Sequence, residues 1–226
     1  LKAQVKAGSF GLVNPYLRYE QKLGKKWYTS WHGDYLRADG NYPFTLVNGN
    51  LIEKKKRYNS DIESWRTELN LGKCGTLSMK GYYFDSHRGL PGSVIFYNDY
   101  SGERLWDRNA FAQVHYENHI TEKFTFQAQA KYNYSWMRHL DVDNKYESGR
   151  QDDRYTQKEY YLSISGLYSL ADHLSLAVAE DYFINSLDNT IPECPFPKRY
   201  TSLTALAVQY KDPRLTATTS LLGTYI

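Results

Sequence analysis

Arg88, Tyr97, Tyr100, Arg104 and Trp106 fall within nineteen residues of one another. Guanidinium groups pair with carboxylates and phosphates, and aromatic rings stack on flat or bulky molecules. The combination predicts a contact surface for a bulky, often anionic small-molecule ligand. Gly89, Gly92 and Gly102 in the same stretch fit equally well a loop packed on itself, with the glycines serving turn geometry. A second cluster, Asp141, Asp143 and Glu147, followed by Asp152 and Asp153, offers the carboxylate oxygens that Ca²⁺ takes as ligands. It departs from the helix–loop–helix calcium pattern, because Lys145 stands at a ligand position and no glycine follows. No other cofactor is indicated. The basic run Glu53-Lys54-Lys55-Lys56-Arg57 reads as a solvated loop or as a contact for anionic surface lipid. His32 and Asp34, two residues apart, have the types of a base and its orienting group, yet no Gly-x-Ser-x-Gly elbow supplies a nucleophile, so no catalysis is expected.

What would position such residues is a set of strands. Phe124, Phe126, Ala128, Ala130, Tyr132, Tyr134 and Trp136 alternate with Thr125, Gln127, Gln129, Lys131, Asn133 and Ser135, a period of two held for thirteen residues. An ordinary strand has about five or six residues, whereas a strand tilted across a bilayer needs about 9 to 11. The ends of this run are aromatic and its middle is alanine, the pattern of a lipid-facing stripe between two interfacial girdles. Weaker copies recur around Trp27–Tyr35, Trp65–Leu71, Ala110–Tyr116 and Tyr160–Tyr168. Arg18, Glu20, Arg66, Glu68 and Lys131 fall on the face opposite the apolar stripe. Tyr28, Tyr35, Tyr116, Tyr132, Trp136 and Tyr168 are expected as girdle residues.

The expected strands are 12–21, 27–37, 61–71, 76–84, 106–117, 124–137, 155–168, 174–185, 200–210 and 215–225, with a short one near Leu1–Ala7. Their connectors alternate. Short ones are 21–26, 72–75, 118–123, 169–173 and 211–214; long ones are 38–60, 85–105, 138–154 and 186–199. An up-and-down barrel with short periplasmic turns and long extracellular loops produces this alternation. Gly8-Ser9-Phe10-Gly11 is then a tight turn on the long-loop side. The fold class expected is all-β: an antiparallel up-and-down transmembrane β-barrel of which residues 1–226 supply about 11 strands. Bacterial single-chain barrels have even strand numbers, and a 22-stranded one needs on the order of 450 residues. The chain is therefore expected to be one partial barrel domain. No run of eighteen apolar residues is present, which excludes a spanning helix, and 36 aromatic residues argue against disorder. The 28 basic and 25 acidic residues are spread along the chain, which is no nucleic-acid signature.

Several of these turns and loop entries are similar to those of a known family. Gly8-Ser9-Phe10-Gly11, Ala38-Asp39-Gly40-Asn41-Tyr42-Pro43-Phe44, Asn59-Ser60-Asp61, and above all Tyr83-Phe84-Asp85-Ser86-His87-Arg88-Gly89-Leu90-Pro91-Gly92 followed by Glu103-Arg104-Leu105-Trp106-Asp107 carry the likeness. They resemble the N-terminal half of the barrel of TonB-dependent outer-membrane receptors, nearest to the cobalamin and siderophore branch. The resemblance implies a 22-stranded barrel in the bacterial outer membrane, closed around a plug. It implies active uptake of a scarce ligand, a corrinoid or an iron–siderophore. The TonB energy-transducing protein would act through the plug, and outer-membrane lipid and a surface lipoprotein are further partners. No plug, energy-coupling box or final aromatic strand end is visible in this sequence. A passive porin and a soluble β-sandwich or lectin-like binding module fit the alternation as well. Upstream coding sequence for a plug separates the first, and detergent-free solubility the second.

Overall fold

The computed structural model describes residues 1–96 and 101–226. Thirteen strands form β1 (Lys2–Gly8), β2 (Leu12–Leu23), β3 (Trp27–Ala38), β4 (Pro43–Asn48), β5 (Leu51–Lys56), β6 (Ile62–Lys73), β7 (Leu77–Gly89), β8 (Arg104–Thr121), β9 (Phe124–Asp141), β10 (Gln151–Ala171), β11 (Leu174–Asn189), β12 (Lys198–Lys211) and β13 (Thr216–Tyr225). Eleven of them make one sheet in chain order, and β4–β5 is a separate two-stranded sheet. Every pairing is antiparallel, and β1 and β13 are the edges, unpaired with each other. This is the all-β, up-and-down meander expected.

The register decides which residues share a face. Ala112, Tyr132, Tyr160, Ile184 and Tyr200 are successive cross-strand partners, as are Val114, Ala130, Leu162, Tyr182 and Ser202. Following the pairing to the other edge adds Gly81, Leu69, Trp31, Leu17, Met79 and Leu71 to the same side. One face of the sheet is thus apolar from edge to edge. Between the two aromatic ends of this zone its marked exception is Glu180, whose carboxylate accepts hydrogen bonds from the hydroxyls of Ser202 and Thr204 on the same face, whereas nearer the long connections charged residues such as Lys158 and Arg108 also stand on it. The opposite face carries ion pairs between adjacent strands: Arg66 with Asp34 at 2.7 Å and Lys80 with Glu68 at 3.0 Å. Tyr28 is a correction to the expected girdle: its register partners Lys22 and Gly72 place it on this charged face, where its ring fills the space a side chain at position 72 would take.

Among the described residues no second layer covers the apolar face. Leu46, in β4, is the one buried hydrophobic side chain among the described residues, and Leu162, Ile164, Val178, Leu69 and Trp65 are each 46% exposed or more. A compact protein of 26.4 kDa exposes roughly 10,600 Å², and this chain exposes 15562 Å². Water would not tolerate that much unpartnered apolar sheet in a monomer.

The strands run further than the alternation alone indicates. β8 begins at Arg104, β9 continues to Asp141 and β10 begins at Gln151. Beyond the apolar zone both faces carry polar residues, so the period-two signal fades while backbone pairing continues. The connection after β3 also holds a hairpin that was expected to be loop. Gly49, with φ 58°, starts the two-residue turn between Asn48 and Leu51, as a II′ turn requires. The tight turn at Ser9–Gly11 lies on the long-connection side, because the Asp39 amide donates to the Phe10 carbonyl at 2.8 Å.

Candidate functional site

The long connections gather at one end of the sheet, and Asn59 ties two of them together, the one after β3 and the one after β7. It adopts φ 51°, and its side-chain amide donates to the carbonyls of Glu103 at 2.7 Å, Ser101 at 2.9 Å and Leu90 at 3.4 Å. Gly89 donates its amide to the Asp61 carbonyl at 2.9 Å, and a side chain at position 89 would strike the Asn59 carbonyl. The likeness to the Asn59-Ser60-Asp61 and Arg88-Gly89-Leu90 motifs therefore marks two segments that the fold brings into contact.

Arg104 is held in this junction. Its guanidinium donates to Asp61 at 2.7 and 3.2 Å and to Asn59 Oδ1 at 3.2 Å. Those bonds hold the Asp61 carboxyl below the usual carboxylate range, against partial burial that pushes it the other way. Arg88 lies on the other face: it pairs with Asp107 at 2.7 Å and donates to the buried Ser86 hydroxyl at 3.1 Å. Trp106 shares the apolar-face side with Arg104 and His87, and the Arg138 guanidinium lies 4.9 Å from its ring centre. The predicted ligand residues thus split, with Arg88 on the charged face and Arg104 and Trp106 on the opposite one. Tyr97 and Tyr100 lie outside the described residues.

In the predicted calcium cluster, Asp141 is buried and accepts hydrogen bonds from the Lys145 ammonium at 2.7 Å and the Tyr146 hydroxyl at 2.8 Å. Asp143 accepts the Lys145 amide at 2.9 Å and sits 3.7 Å from its ammonium. Lys145 therefore stands between the two carboxylates, and its pKa is raised by the bond to Asp141. Glu147 makes no bond with either carboxylate's partners. No cluster of three or more His, Cys, Asp or Glu side chains converges on a metal-sized site among the described residues. Asp34, the suggested orienter of His32, is engaged by Arg66 instead.

Two features escaped the sequence reading. On the charged face Tyr82 and Phe111 stack with ring centres 5.2 Å apart, flanked by the ammonium groups of Lys131 at 5.0 Å and Lys80 at 5.9 Å from the Phe111 ring centre. Phe111 standing among Asn109, Gln113 and His115 is the signal that marks it. At the loop end, Phe44, Lys56, Arg57, Tyr58 and Pro91 surround a cavity of about 290 Å³ between the β4–β5 hairpin and the connection after β7. A larger hollow of about 610 Å³ lies over Gly33 between Trp31 and Trp65, with Asp34 and Arg66 in its lining. Cys74 and Cys194 are both free thiols, one in a short turn and one in a long connection.

No protein-family model matches the chain, and no curated protein matches it in sequence. Its fold is similar to the crystal structure of the siderophore receptor PiuA from Acinetobacter baumannii, with a TM-score of 0.62 and 9% sequence identity. The superposition covers 98% of this chain and 45% of that receptor, so the chain spans less than half the length of the protein it matches. At this identity the likeness is one of fold.

Proposed function

We propose that this chain is barrel wall of an outer-membrane receptor that actively imports a scarce, bulky ligand, with an iron–siderophore as the ligand class. The observation that carries the reading is the single-layered sheet with an uncovered apolar face and a charged opposite face. Only a hydrocarbon surrounding satisfies both faces, because lipid accepts the apolar side and a filled, polar lumen accepts the ion pairs. The fold likeness to a siderophore receptor favours that ligand class over a corrinoid.

In this reading the wall does no catalysis. Arg88 and the aromatic–cation group of Phe111, Tyr82 and Lys131 face the lumen, while the β4–β5 hairpin, with its basic Lys54–Arg57 run, and the connection bearing Tyr97 and Tyr100 meet ligand from outside. A plug within the lumen would transmit the pull of TonB, and a surface lipoprotein would deliver ligand. The test is uptake of iron-55 siderophores and cobalt-57 cobalamin by cells expressing the full-length protein, with and without a proton-motive-force uncoupler. Uptake of an iron chelate that stops on uncoupling supports the reading. Uptake of cobalamin instead replaces the ligand class. Uptake of small solutes that the uncoupler does not change indicates a passive channel, and a protein that stays soluble without detergent overturns the reading altogether.

A further inference from the structure

On the apolar face a tyrosine row is capped by a basic row. Tyr132, Tyr160, Ile184 and Tyr200 are successive cross-strand partners, and Tyr160 and Tyr200 are half exposed. One alternation step further toward the long connections, roughly 7 Å along the strands, the partners are Tyr134, Lys158, Ser186 and Lys198. Lys158 and Lys198 thus flank one serine on the same side of the sheet, two strands or roughly 10 Å apart at their backbones. Among the described residues no carboxylate lies within 4.0 Å of either ammonium, although Asp188 stands on the same face one step beyond Ser186. Further out on this face, Arg138 and Arg154 share one acid, Asp152, at 2.7 and 3.0 Å. Four cations and two carboxylates therefore lie within the four alternation steps above the tyrosines.

We propose that Lys158 and Lys198 form a clamp for the phosphate of an outer-leaflet lipid headgroup, with the excess charge of Arg138 and Arg154 above it. The inference rests on the apolar face meeting lipid. Given that, tyrosines mark the depth at which hydrocarbon gives way to headgroups, and two unpaired ammonium groups one step above them sit where an anchored phosphate lies. The Ser186 hydroxyl between them adds a donor. An acyl chain descending from that phosphate runs along Tyr160, Leu162 and Ile164, which are each 46% exposed or more.

Native mass spectrometry of the full-length protein in detergent tests this, titrated with diphosphorylated lipid A, with the same lipid stripped of its phosphates, and with inorganic phosphate. A lysine near an anionic lipid surface contributes about fivefold in affinity, so the K158Q/K198Q variant should bind the phosphorylated lipid about thirtyfold more weakly. K158R/K198R should bind it as the parent does, and the phosphate-free lipid should bind all three proteins alike and weakly. Equal binding of the phosphorylated lipid by parent and K158Q/K198Q overturns the clamp, as does equal binding of the two lipids by the parent. Displacement of the lipid by millimolar inorganic phosphate shows a free-anion site and overturns the lipid assignment. Flotation with phosphatidylcholine vesicles is scored separately: a parent protein that does not float refutes the membrane reading itself, whereas one that floats without discriminating phosphate refutes only the clamp.

Discussion

Ala128 lies midway between Phe124 and Tyr132 on the apolar face, with Tyr116 and Ile164 as its cross-strand partners. Each ring is four positions away, about 14 Å along the strand and, at a tilt near 40°, about 10 Å in height. The rings then stand about 20 Å apart, close to the height of an outer-membrane barrel's apolar band, so the proposed function puts Ala128 at the bilayer midplane. Arginine at that depth costs about 2–4 kcal/mol, a factor of about 30 to 900 in the folding equilibrium. Gln129, the next residue, is on the charged face, and Arg there should change stability by about 0.5 kcal/mol or less. Thr156 shares the apolar-face side with Ala128 but pairs with Trp136, near the outer end, where Arg should cost about 0–1 kcal/mol. The assay is equilibrium denaturant titration of the full-length protein folded into lipid vesicles, with ΔΔG taken from the midpoints. A packed soluble layer would penalise charge by contact with its covering residues rather than by depth. Equal losses at 128 and 129, or a cost at 156 as large as at 128, would refute the assignment of this face to hydrocarbon.

Three further outcomes follow from the loop end and the turns. Asn59→Gly keeps the left-handed backbone but removes the amide that serves three carbonyls, so the junction should lose about 1–3 kcal/mol and the connection after β7 should be cleaved faster in limited proteolysis. Lys145→Ala should release Asp141 and Asp143 to bind Ca²⁺, seen as a calcium-dependent rise in melting temperature that the parent does not show; an equal rise in the parent would mean that calcium displaces the lysine. Asp212, in the turn before β13, accepts the amides of Arg214 and Leu215 and the Tyr210 hydroxyl, which hold its carboxyl below the usual value. Its folded-state pKa is depressed, so the turn is held above the unfolded value near 3.9 and released as pH falls through the folded value. Hydrogen exchange at the Arg214 and Leu215 amides should show that acid transition, and D212A should abolish it.

The two faces were legible before any coordinates. Phe124 to Trp136 names its apolar side by alternation, and the alternating short and long connectors give the meander and its ends. Tyr28 departs from the girdle expectation because its ring on the charged face covers Gly72, a neighbour that only the register reveals. The β4–β5 hairpin is hard to read from sequence although Gly49-Asn50 announces its turn, because its strands are only six residues each and β5 carries charge on both of its faces. The sequence puts Lys145 at a ligand position of the calcium pattern, but that it bridges Asp141 and Asp143 depends on how the connection folds back.

What the sequence by itself determined is which side of its own strand each residue occupies, since successive side chains in a strand must point oppositely. What only the tertiary structure decided is how one strand's sides align with the next. A turn one residue longer or shorter exchanges every partner across it, so nothing in the order of residues separates Arg88 from Arg104 and Trp106, or sets Lys158 and Lys198 about one serine. Those relations come from hydrogen-bond register between strands, summed through turns whose length the local sequence only brackets.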